Sequence, residues 1–217
     1  MSIYNKNKKV SENKNYGIYH NNKKIISVYS NNNLIYQYQS YKPNTEIITC
    51  INGQSANIEL PIGVYSLYLT GGGGTGGVHY AGSGYFFTTS GGSGSTWEGT
   101  FYISKNTSIE VYGSGNNGDS YLNVNGTRMI TAGGGRETSY LNSHPEGGTL
   151  NISSEWSPYI ISTQKSTNGN NGTTSVAAIP AGGTTTSSLK WGEGDSVHTS
   201  GAVQYGGCKI IYLRYKK

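Results

Sequence analysis

Much of the usual chemical equipment is scarce in this sequence. Only two cysteines, two methionines and four histidines occur in 217 residues, and charged residues make up 12% of the chain. His20, His79, His144 and His198 are scattered, with no H-x-x-x-H pair, and Cys50 and Cys208 have no histidine nearby, so a zinc site is not expected. No G-x-x-x-x-G-K-[ST] phosphate loop occurs, and no G-x-S-x-G elbow. Gly113–Gly118 matches G-x-G-x-x-G, but a hairpin follows where a dinucleotide site needs a helix. Glu193-Gly194-Asp195 lacks the further oxygen ligands of a calcium loop and reads as a solvated turn. No apolar run approaches the roughly 18 residues of a membrane helix. The N-terminus carries no apolar signal region, so classical secretion is not expected. No helical period is evident. An enzyme is not expected, and no cofactor is implied.

Glycine and tyrosine are abundant instead, at 33 and 19 residues, while hydrophobic residues reach only 34%. So few aliphatic side chains argue against a thick core. The tyrosines argue against plain disorder, because each ring can bury a large area. Glycine is concentrated in Gly71-Gly72-Gly73-Gly74-Thr75-Gly76-Gly77 and returns at Gly91-Gly92, Gly94, Gly133–Gly135, Gly147-Gly148, Gly182-Gly183 and Gly206-Gly207. Such runs are poor helix and sheet formers. A flexible linker is one reading. The clusters fall inside one domain, between strand-like runs, which favours a second: extended segments with three residues per turn, packed backbone against backbone where side chains are absent.

Strands are expected at 47–51, 57–60, 64–70, 97–103, 108–112 and 209–215. A hairpin is expected at Tyr121–Thr131, turning at Asn125-Gly126, a dipeptide suited to positive φ. Cys50 and Cys208 fall near the two ends of this domain, where first and last strands are often neighbours. A disulfide is possible there, but in a reducing compartment it would be unusual. Residues 136–207 hold few apolar runs. They carry Tyr140, His144, Trp156, Tyr159, Trp191 and His198, candidate ligand-binding residues because aromatic rings with polar rims suit sugar faces or protein patches. The competing reading for Trp156 and Trp191 is that they plug a thin core.

Before this domain lie 41 residues of different character. Lys6, Lys8, Lys9, Lys14, Lys23 and Lys24 against Glu12 give this arm a charge of +5, and the remaining ten basic and ten acidic residues cancel. The lysines are candidates for docking on an acidic protein surface or nucleic acid, although no nucleic-acid module signature is present. Short strands separated by Asn turns read as a small β-meander, and Tyr41-Lys42-Pro43-Asn44 as a hinge.

The motifs Gly63–Gly74, Gly94-Ser95-Thr96-Trp97-Glu98-Gly99, Ile109–Gly113, Ile130–Gly135 and Tyr205-Gly206-Gly207-Cys208-Lys209-Ile210-Ile211-Tyr212 resemble the glycine-rich domain of tailed-bacteriophage fibre and adhesin proteins. Tyr19–Tyr29 with Leu34–Gln37 looks like the short N-terminal module of gut-phage virion proteins. The resemblance implies a virion surface protein, assembled in the host cytoplasm and often a homotrimer. Its N-terminal module (1–41) would attach to other virion proteins. Its glycine-rich β domain (42–217) would present loops to a host glycan or protein, without a membrane span or a specific nucleic acid. A head fibre or capsid decoration protein with no receptor of its own is the alternative, and a polysaccharide-cleaving tail enzyme a more distant one. The expected fold is all-β: a jelly-roll-like β-sandwich with polyglycine II-like segments, preceded by the small meander. The later clusters are pairs of glycines, so only a small glycine-packed patch is expected.

Overall fold

The computed structural model describes residues 41–80, 86–137, 145–175, 183–195 and 203–214, with strand backbone at 4–5, 8–9, 11–13, 17–20, 23–25, 27–30 and 33–37. The chain divides into two units, Met1–Lys42 and Pro43–Lys217. In the first, β1 (Tyr4–Asn5) pairs with β2 (Lys8–Lys9). The strands β3 (Ser11–Asn13), β4 (Gly17–His20) and β5 (Lys23–Ile25) form a three-stranded antiparallel sheet, and β6 (Ser27–Ser30) pairs with β7 (Asn33–Gln37). Lys8, Lys9, Lys23 and Lys24 lie on these strands; Lys6 and Lys14 lie outside the described residues.

The second unit is built on two five-stranded antiparallel sheets. The first contains β8 (Thr45–Ile51), β10 (Gly63–Thr70), β13 (Thr96–Ile103), β18 (Ile160–Thr167) and β20 (Gly207–Arg214), in the order β18-β13-β10-β20-β8. The second contains β9 (Gln54–Leu60), β14 (Thr107–Gly113), β15 (Ser120–Val124), β16 (Thr127–Ala132) and β17 (Leu150–Ile152), in the order β17-β16-β15-β14-β9. A smaller sheet joins β11 (Gly77–Tyr80), β12 (Phe86–Thr89) and β19 (Thr174–Ser175). The fold is all-β, and its one helical element is a 3-10 turn at Ser154–Tyr159 among the described residues.

Strand alternation sets the core. On β10, Tyr65, Leu67 and Leu69 point to one face and are fully buried. Their ladder partners Phe101 and Trp97 on β13, and Tyr212, Ile210 and Cys208 on β20, extend that apolar face. Opposite it, β14 and β15 supply Ile109, Val111, Leu122 and Val124. Tyr65 stacks on Phe101 at 5.4 Å and meets Tyr212 edge-on at 5.4 Å, so aromatic rings fill volume that aliphatic side chains would otherwise take.

Two Asn-Gly turns close strand connections. Asn125 and Gly126 have φ of 49° and 81°, as expected for the β15–β16 hairpin. Asn52-Gly53 repeats this chemistry (φ 50° and 84°) where the chain leaves β8 of the first sheet for β9 of the second. Cys50 and Cys208 are register partners on β8 and β20, and both are free, buried thiols. Burial, and then its neighbour Cys50, pushes the Cys208 thiol well up; burial also raises Cys50. Both therefore stay protonated and unreactive at neutral pH.

At the outer edge of the first sheet, Lys209 Nζ lies 2.6 Å from Glu46 Oε2, and Thr49 Oγ1 donates to Glu46 Oε1 at 2.7 Å. The bonded Lys209 ammonium, then the Thr49 hydroxyl, hold the Glu46 carboxyl below its ordinary value. A carboxylate depressed in the folded state stabilises above its unfolded pKa, and that contribution is lost as pH falls through the folded value. Thermal melts taken between roughly pH 6 and pH 3 should show a steeper acid loss for the wild-type chain than for Glu46→Gln. The carboxylate is exposed and the ammonium only partly buried, so the difference should be small.

Candidate functional site

The glycine segments pack main chain on main chain, and the hydrogen bonds show how. Along residues 90–95, consecutive N–H groups point to three different neighbours in rotation. Ser90 donates to Thr173 O and Ser93 to Asn170 O, at 2.9 and 2.8 Å. Gly91 donates to Asp195 O and Gly94 to Gly192 O, at 2.9 and 2.8 Å. Gly92 donates to Arg136 O and Ser95 to Gly133 O, at 3.0 Å each. Every third residue returns to the same neighbour, three positions back along it. That is the signature of extended antiparallel segments with three residues per turn, not of a strand, whose bonds point only two ways.

The central run behaves the same way. Gly71 N donates to Ser95 O (3.0 Å) and Gly74 N to Gly92 O (2.8 Å), while Gly72 N turns to Gly118 O (2.8 Å) and Gly73 N to Gln204 O. Its carbonyls accept in further directions: Gly72 O from Gly135 N, Gly73 O from Asn117 N and Gly74 O from Asp195 N. A four-residue stretch thus has five neighbouring segments. A Cβ on Gly71, Gly72, Gly73 or Gly74 would run into the carbonyl oxygen of Gly133, Gly115, Glu193 or Arg136 respectively. Backbone is the obstacle in each case, so no rotamer change can relieve the clash.

This network is larger than the small patch expected from glycine pairs. It joins segments near 71–74, 90–95, 115–118, 133–136, 145–148, 168–172, 183, 192–195 and 203–206. With a three-residue turn, glycine is needed only where a residue faces another backbone, and other residues serve elsewhere. Ser93 and Ser95 are fully buried within the network. Ser93 Oγ accepts from Asn170 N at 2.7 Å, and Ser95 Oγ donates to Gly133 O at 3.3 Å. Short hydroxyl side chains thus bond back to the lattice that encloses them.

The network also gathers the connections between strands. The chain enters 138–144 from Arg136-Glu137 and leaves at Pro145-Glu146, and Arg136 N donates to Glu146 O at 2.8 Å. It leaves 176–182 at Gly183, whose N–H donates to Gly91 O at 3.0 Å. It enters 196–202 from Asp195, which donates to Gly74 O, and leaves at Val203, which accepts from Glu193 N. At least one end of each of the three connections therefore lies against Gly74, Gly91 or Gly92. The 183–195 segment is clamped further by buried Glu98, which accepts from Ser188 N and Ser188 Oγ at 2.6 Å each. Lys165 Nζ adds a bond to Thr186 O at 3.0 Å.

The candidate binding residues divide. Tyr140, His144 and His198 lie in the connections that this network gathers, outside the described residues. Trp156 is fully buried between Phe101, Trp97 and Tyr159, with ring centroids 5.2, 5.9 and 5.3 Å away. Trp191 is also buried, its ring lying over Gly207 where β20 begins. These two indoles fill the interior, and half-buried Tyr159 stacks on the first of them. A polar-aromatic cluster on the outer side of the second sheet (Tyr112, Tyr121, Arg128 and Glu110) was not singled out from the sequence, because only strand register brings these residues together.

Gly92→Ala should lower the unfolding free energy by about 3 kcal/mol or more, the upper end of overpacking costs, because its Cβ would meet the backbone of Glu146 and Gly147. Gly115→Ala, whose Cβ would approach only Asn52 Oδ1 at 3.8 Å, should stay within about 1 kcal/mol of wild type. Denaturant titration of the two variants checks the contrast.

No family model, no curated protein and no solved structure matches this chain.

Proposed function

We propose that this chain is a surface fibre or adhesin subunit of a tailed-bacteriophage virion. Its N-terminal unit attaches to the particle, and its glycine-rich domain presents the connections 138–144, 176–182 and 196–202 to a host cell-surface glycan or protein. The observation that carries this reading is that each of these connections has at least one end on one backbone-bonded lattice around Gly74, Gly91 and Gly92. Variable recognition segments need a base that does not move when they change, and segments on rigid scaffolds commonly carry function. A lattice made of main chain supplies such a base without regard to loop sequence. Tyr140, His144 and His198 are the residues of these segments assigned to contact. The lysine-rich arm (Lys6, Lys8, Lys9, Lys14, Lys23 and Lys24) is assigned to docking on an acidic virion partner. A homotrimer fits the low apolar content, since a thin β domain recovers burial across an interface.

A second reading has one observation in its favour. The burial of Trp156 and Trp191, together with that of Trp97, removes all three tryptophans from any surface role and suits a head fibre or capsid decoration protein without a receptor.

Replacing 138–144 and 196–202 with Gly/Ser sequences of equal length separates the two. The adhesin reading expects an unchanged melting temperature and a loss of host-cell adsorption of about ten-fold or more. Unchanged adsorption would favour the structural reading. Labelled antibodies on intact particles would locate the subunit.

A further inference from the structure

The outer side of the second sheet carries a side-chain cluster that neither the core nor the lattice uses. Along β14, β15 and β16, Ile109, Val111, Leu122 and Ile130 point inward and are fully buried. Tyr112, Tyr121, Glu110 and Asn123 point the other way, and a register shift between β15 and β16 turns Arg128 to their side although it lies two residues from inward-facing Ile130. Register sets Tyr112 opposite Tyr121, Glu110 opposite Asn123, and Asn123 opposite Arg128. The rings of Tyr112 and Tyr121 stack at 5.2 Å and 29°, and the Arg128 guanidinium lies over the Tyr121 ring, 3.5 Å from its centroid. Both faces of Tyr121 are therefore covered. Tyr112 has one face against Tyr121 and the other turned toward the edge strand β9, where its ladder partner is the small, exposed Ser55.

Two residues back along β14 from Tyr112 stands a fixed carboxylate, held toward β15. Glu110 Oε1 accepts from the Tyr121 hydroxyl at 3.2 Å, and Glu110 Oε2 accepts from Asn123 Nδ2 at 2.6 Å. Asn123 is itself held by Arg128 Nε, which donates to its Oδ1 at 2.6 Å. Each carboxylate oxygen has about two acceptor sites, so each keeps one for a further donor. Across the ladder from Glu110 lies Asn57, with an exposed amide. Next along β9, exposed Glu59 adds a second negative charge to the same side.

We propose that this face binds a neutral hexopyranose unit of a cell-surface glycan. The sugar's C–H face lies on the free side of Tyr112 above Ser55, and its hydroxyls donate to Glu110 and pair with Asn57. An aromatic face next to polar groups held in place by their own neighbours is the combination that saccharide rings require, apolar on one side and hydroxylated at the rim. Glu110 and Glu59 turn away sialylated and uronic-acid sugars, whose carboxylates would be repelled. The proposal rests on the adhesin reading and gives that protein a contact site separate from the connections at 138–144 and 196–202.

The test uses the full-length chain on an array of immobilised cellohexaose, laminarihexaose, lacto-N-tetraose and hexagalacturonate, with host-cell adsorption measured on the same preparations. The expected result is binding to at least one neutral oligosaccharide and none to hexagalacturonate. Tyr112→Ala and Glu110→Gln should each weaken that binding by about ten-fold or more, Tyr112→Phe should leave it within about two-fold, and melting temperatures should stay level. A silent array, or neutral-sugar binding that survives Tyr112→Ala and Glu110→Gln, overturns this face even where the wild-type chain still adsorbs to cells. Absence of adsorption by the wild-type chain overturns the adhesin reading instead, and array binding lost with Tyr112→Ala would still support the face.

Discussion

A peptide unit without side chains can be approached by other backbones from every direction around its axis, and the glycine-rich domain depends on that freedom. Every buried N–H and C=O needs a partner. In a sheet the partners lie on two sides, and side chains fill the space above and below. In the segments 71–74 and 90–95 the partners lie in three rotating directions, because glycine stands wherever a Cβ would meet another backbone and serine stands only between those positions. Hydrogen bonds and close backbone contact thus take over, in that region, the role that apolar burial has in an ordinary core.

The domain consequently has two interiors joined end to end. One is a conventional sandwich core around Leu67, Phe101, Ile109 and Leu122. The other is the lattice, which begins where strands of that sandwich stop. The chain passes from Thr70 at the end of β10 directly into Gly71, from Ser95 into Thr96 of β13, from Ala132 of β16 into Gly133, and from Gly206 into Gly207 of β20. Each such strand exchanges two neighbours for several without a break. This continuity holds the ends of the connections at 138–144, 176–182 and 196–202 close to rigid structure. It also explains how a chain with 34% hydrophobic residues forms an ordered domain of this size.

The strands were legible from alternation. Those at 64–70, 97–103 and 108–112 follow the apolar pattern closely, and Asn125-Gly126 announces its hairpin through the positive φ that only a few residues accept. The extent of the lattice was not legible from counting glycines. A three-residue turn requires glycine at some positions and accepts serine or asparagine at others, so Ser93, Ser95 and Asn170 take part without marking the sequence. The two buried tryptophans read equally well as platforms or as plugs, because an indole suits both and only packing decides. The Tyr112–Tyr121–Arg128 stack was hidden for a different reason: its members are brought together by strand register, which the sequence states only indirectly.

Amide hydrogen exchange read residue by residue across 71–74 and 90–95 is the most direct measurement of the central claim. A lattice in which each of these N–H groups is bonded within the interior requires protection equal to that of core strands such as β10 and β14, with opening only on global unfolding. Exchange at the rate of an unstructured peptide in these two segments, while β10 and β14 stay protected, would show a tether in place of a lattice and contradict the account.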